Sequence, residues 1–149
     1  MPAPIPPSFP DPMNVIRSSD HSTKRGPSEW FTGTVWLDEI TAAAGPANIR
    51  ALRVFFEPGA RTAWHSHTAG QTLHILSGEG RVQKAGEPRI DVHPGDTVWI
   101  GPGERHWHGA TAARSMAHLA IQAEPDGKGT TWFEHVSDRD FESAPARTG

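Results

Sequence analysis

Two histidines one residue apart, His65 and His67, are the most chemically suggestive feature of this chain. Side chains alternate across a strand, so in the β-prone run from Arg61 to His67 both imidazoles leave from one face. Gln71 follows after Thr68-Ala69-Gly70, a spacing that lets the chain turn and bring an amide oxygen back toward the rings. His106 opens another β-prone run after Gly101-Pro102-Gly103, and antiparallel folding can set it opposite the first pair. Three imidazole nitrogens and one oxygen suit one divalent transition ion: manganese, iron, cobalt, nickel or zinc. All four donors are neutral, so the ion would keep its full charge and act as a strong Lewis acid toward alkoxide, enolate or small-anion ligands.

The chain has nine histidines, and strand parity sorts several of the others. His108 shares the parity of His106 and is expected near the metal at the substrate pocket, in a supporting role or, as the alternative, as a direct ligand. His74 has the opposite parity to Gln71 and should face away; His93 abuts the Pro94-Gly95 turn and His21 lies near the N-terminus, so neither is given a chemical role. His118, Ala120 and Gln122 share one strand face, as do Leu52, Val54 and Phe56, a set expected to wall the cavity with Leu52 narrowing it. Trp64 and Trp107 flank ligands at opposite parity and are expected in the outer core or a subunit interface.

What must position these residues is a chain of 149 residues, about one ordinary domain. Its 15 glycines and 14 prolines supply turns for many short strands. From Trp30 onward the β-prone runs are Phe31 to Leu37, Ile49 to Phe56, Arg61 to His67, Gln71 to Ser77, Gly80 to Lys84, Arg89 to His93, Thr97 to Ile100, Arg105 to His108, Ser115 to Gln122 and Thr131 to Val136. The short breaks between them can join only antiparallel neighbours, which predicts an all-β sandwich or barrel. One helical turn is expected over Asp38 to Ala44 and a short helix capped by Ser137 through Phe141. The division follows: residues 1–28 a proline-rich extended arm, 29–136 a β-barrel, 137–149 a C-terminal segment.

Composition narrows the function classes. With no cysteine, disulfide scaffolds, thiolate metal sites and cysteine nucleophiles are excluded, and a reducing compartment fits. A net charge of −3 leaves no basic footprint for nucleic acid. No apolar run approaches the roughly 20 residues of a membrane span, and the N-terminus does not read as a signal peptide. A cytoplasmic protein with a small-molecule substrate is the expectation.

These residues resemble the cupins, small double-stranded β-helix barrels of jelly-roll type with a metal inside. The first cupin motif, G-x5-H-x-H-x3-E-x6-G, is matched by Gly59, His65, His67, Gln71 and Gly78, with glutamine in place of glutamate. The second, G-x5-P-x-G-x2-H-x3-N, is matched by Gly95, Gly103 and His106, with Gly101 at the proline position and Ala110 at the asparagine. The strings Phe56-Glu57-Pro58-Gly59-Ala60-Arg61-Thr62-Ala63-Trp64-His65, Gly70-Gln71-Thr72-Leu73, His106-Trp107-His108-Gly109-Ala110 and His118-Leu119-Ala120-Ile121-Gln122 are similar to a bacterial monocupin subgroup that includes manganese-dependent hydroxynitrile lyases.

That resemblance implies manganese bound by His65, His67, Gln71 and His106, with His118 in the pocket beside it. It implies a lyase acting on cyanohydrins, in which His118, assisted by Gln122, handles the proton. It also implies a homodimer or homotetramer. Two rival expectations are a non-haem dioxygenase acting on an enol or dicarbonyl, and a metal-dependent cupin that binds a small molecule without turning it over.

Overall fold

The structure, a computed structural model, describes residues 13–44, 46–127 and 129–145. Thirteen strands carry it: β1 Lys24–Arg25, β2 Phe31–Thr32, β3 Val35–Ala44, β4 Ile49–Phe56, β5 Arg61–Thr62, β6 His65–His67, β7 Gln71–Gly78, β8 Gly80–Lys84, β9 Ile90–Val92, β10 Thr97–Ile100, β11 His106–Ala110, β12 Met116–Ala123 and β13 Thr130–Trp132. One sheet runs β1-β3-β4-β12-β7-β10; the other runs β13-β6-β11-β5-β2, with β8 pairing β11 and β9. Every pairing between these strands is antiparallel. The all-β expectation therefore holds, and the one α-helix among the described residues, α1 Asp138–Phe141, is short and C-terminal. No helix among them is long and apolar enough to cross a membrane.

Three local expectations need correction. Asp38 to Ala44 is the second part of β3, not a helical turn, because β3 pairs along its length with β4 and that ladder outweighs the local alanine preference. The run from Phe31 to Leu37 is divided at Gly33, where a φ of 80° lets the chain leave the second sheet for the first. The run from Arg61 to His67 is interrupted at Ala63 and Trp64, whose amides donate to Trp30 and Glu134 carbonyls instead of to β11. The helix over the C-terminal segment begins where its cap was expected: Ser137 Oγ accepts from the Asp140 amide at 3.1 Å.

Of the proline-rich arm, residues 1–12 lie outside the described residues; beyond them a 3-10 turn spans Ser18–Asp20 and β1 joins the edge of β3. Phe31, Val35, Val54, Phe56, Leu73, Ile75 and Met116 form the core between the sheets. Trp64 and Trp107 pack instead with Val136 and Phe141 behind the second sheet, the outer-core position their parity predicts. Exposed Trp36, Phe55, Leu76, Trp99 and Ile121 belong to strands of the first sheet.

Candidate metal centre

The histidines converge because two neighbouring strands carry them in register. His106 on β11 lies directly opposite His65 on β6, so their rings share the inner face, with centroids 4.2 Å apart. His67 and His108 follow two residues along their own strands, 4.9 Å and 5.2 Å from the His65 ring. Gln71 arrives from the opposite sheet. Gly70 turns the chain at a φ of 81°, and a Cβ there would lie 2.7 Å from the Ile100 carbonyl oxygen, so only glycine allows so abrupt a crossing from β6 to β7.

Hydrogen bonds then aim the donor atoms. His65 Nδ1 lies 2.8 Å from the Ala63 carbonyl oxygen and His106 Nδ1 2.9 Å from that of Glu104, which fixes the proton on Nδ1 and leaves Nε2 with its lone pair. His67 Nδ1 lies 3.1 Å from Thr130 Oγ1. Gln71 Nε2 donates to Gln122 Oε1 at 2.7 Å, leaving Gln71 Oε1 free. The buried polar atoms without a partner include His67 Nε2, His106 Nε2 and Gln71 Oε1. Unmade bonds at buried polar atoms are costly, and their concentration on these residues fits a bound cation.

Burial keeps the imidazoles neutral. It pushes His106 and His118 down to about 4, and His67 to about 4 with help from the nearby His106. His65 and His108 lie well below the ordinary histidine value, again chiefly through burial. Neutral imidazole is the form that ligates a metal.

Among the described residues, the histidine ligand atoms that all lie within 4.8 Å of one another are those of His65, His106 and His108; His67, expected as a ligand, is not in that group. His108 differs from the other rings in its support, because its Nδ1 pairs at 2.9 Å with Nε2 of His118 and not with an oxygen. Its Nε2 is buried without a partner.

The chamber at the site has a volume of about 80 Å³ and is lined by His65, His67, Gln71, His108, Gln122 and Val54, together with Phe31, Thr62, Ala120, Thr130 and Trp132. Among the expected site residues, His118 is wholly buried behind His108 and does not line it. Phe56 also stands behind, its ring 5.9 Å from His108 and 5.3 Å from His118. Leu52 lines not the chamber but an outer groove that shares Phe31, Thr130 and Trp132 with it. His74 is turned away, its Nδ1 2.9 Å from Thr97 Oγ1. Sequence reasoning missed Thr130 and Trp132, which β13 places opposite His67 and His65. Their shared parity was readable, but nothing in the sequence links that strand to β6.

Comparisons with known proteins agree with this fold. The model of the cupin domain matches residues 52–121. A protein from Granulicella tundricola named (R)-mandelonitrile lyase is 48% identical over 87% of this chain and 98% of its own length. The chain also matches an acireductone dioxygenase from Trichormus variabilis at 28% identity, spanning 64% of this chain and about half (52%) of that protein. A crystal structure of a cupin-like protein from Thermotoga maritima superposes with a TM-score of 0.76 at 36% identity, covering 78% of this chain and 89% of that one. Fold, buried histidine cluster and kinship together lead to one conclusion: the chain belongs to the cupin family.

Proposed function

We propose that this cupin is a metal-dependent carbon–carbon lyase of hydroxynitrile type, cleaving or forming cyanohydrins. The observation that carries the reading is the set of unpartnered, neutral donor atoms on His67 and Gln71, which line a chamber with no acidic lining residue, and on His106, whose ring stands beside those of His65 and His67 without lining it. With His65 they would hold the ion, which on the resemblance is manganese. Bound there, it would supply Lewis acidity toward a substrate hydroxyl oxygen, undiminished by a carboxylate ligand.

The rest falls to the chain's own groups. His108 lines the chamber and takes the hydroxyl proton at Nε2, while its Nδ1 proton passes to His118 Nε2 across 2.9 Å. The oxygen electron pair closes the carbonyl, and the carbon–carbon bond breaks with its electrons leaving on cyanide, which then recovers the proton. Gln122, anchored to Gln71, holds the amide ligand and faces the same chamber.

The likeness to acireductone dioxygenases favours a second reading, oxidation of an enol or dicarbonyl. Simultaneous cyanide and oxygen electrodes separate the two. Metal-replete protein given mandelonitrile should release cyanide without consuming oxygen; oxygen uptake with an enol or dicarbonyl substrate, and no cyanide from mandelonitrile, would favour the dioxygenase.

A further inference from the structure

The chamber beside the histidines is too small for a whole aryl cyanohydrin. Its volume of about 80 Å³ corresponds to roughly two or three water molecules, enough for the hydroxyl, the carbinol carbon and the nitrile. Ordinary small-molecule pockets begin at roughly 300 Å³, and the chamber is open to one side, so an aryl substituent would extend beyond it. A groove of about 630 Å³ adjoins the chamber, and the two share Phe31, Thr130 and Trp132 as walls. Trp132 stacks on His65 with centroids 4.6 Å apart and on Trp30 at 5.1 Å with rings 4° from parallel, so an aromatic row leads from the site into the groove. Leu37 and Leu52 also line the groove. At its rim Arg50 is already paired with Glu39 at 3.3 Å and with Glu124 at 3.5 Å.

We infer that this outer groove is the substituent subsite, and that it takes neutral, planar aromatic groups up to two fused rings in size. The inference rests on the lyase reading for the identity of the reacting head, but not for binding of the aryl group. The Trp30–Trp132 pair and the leucines offer apolar, flat surface. Arg50, with carboxylates on two sides, offers little to an anionic substituent. Leu52 and Trp30 are then specificity residues, since both touch the substituent and neither lines the inner chamber.

The test compares kcat/KM for the cyanohydrins of 2-naphthaldehyde and acetaldehyde, together with calorimetric binding of 2-naphthylmethanol to metal-free protein. Wild type should favour the naphthyl substrate by at least roughly tenfold. Trp30→Ala, which loses stacking surface, and Leu52→Phe, which fills the groove, should each lower that preference and weaken naphthylmethanol binding by roughly tenfold. Both residues are partly exposed, so either variant can fold, and either alone suffices. A wild-type preference for the acetaldehyde adduct, or a preference and affinity unmoved by both variants, overturns the subsite. Release of cyanide from neither substrate, with naphthylmethanol still bound and still sensitive to both variants, overturns the lyase reading and leaves the subsite standing.

Discussion

At Gln71 the side chain is held in one orientation, because its Nε2 is committed to Gln122 and Oε1 is left without a partner. The same economy governs His108 and His118, which share one proton across 2.9 Å and leave a partnerless nitrogen at each end. A proton accepted at His108 Nε2 can therefore be passed inward without leaving an extra charge on the ring that lines the chamber. His118→Ala removes that outlet. We expect the variant to keep its metal and to lose roughly 10²–10⁴-fold in cyanohydrin turnover, the usual contribution of general acid–base catalysis. Elemental analysis beside the rate measurement distinguishes this from collapse of the site; unchanged turnover in a metal-loaded variant would remove His118 from the mechanism.

The hairpin between β7 and β8 shows how strictly the strands are placed. Gly78 has a φ of 78°, and a Cβ there would stand 1.9 Å from the Ser115 carbonyl oxygen. Gly78→Ala must therefore displace β12, which carries His118 and Gln122, and meets a left-handed penalty of about 1–2 kcal/mol besides. Thermal denaturation should show a loss larger than that penalty; a Tm equal to wild type would contradict the register described. Much of this architecture was legible from the chain. The turn glycines and prolines marked the antiparallel strands, and parity put His65 and His67 on one face. Other features depended on pairing at a distance. Asp38 to Ala44 reads as helix until β4 is beside it, and Trp132 becomes part of the site only because β13 pairs with β6. His118 had the right face but not the right depth, since parity says nothing of the His108 ring lying between it and the chamber.

For the molecule as a whole, five buried histidines between two sheets make folding sensitive to acid. In metal-free protein the unfolded chain binds protons on these residues near the ordinary value of about 6.5, whereas the folded chain resists until about 4 at His67, His106 and His118. The unfolded state thus holds more protons between those values. Stability should be full above about 6.5 and fall as pH drops toward 4, by at most about 1.4 kcal/mol per unit for each histidine. A Tm of metal-free protein that stays flat through that interval would contradict the buried neutral cluster. On the proposed function, a metal held by His65, His67, Gln71 and His106 makes this cupin a cyanohydrin lyase. The most direct test is cyanide release from mandelonitrile as metal-stripped protein is titrated with manganese. The rate should start near zero, rise in proportion to bound metal and level off at about one ion per chain. Equal activity without metal, or no cyanide at full occupancy, would contradict that function.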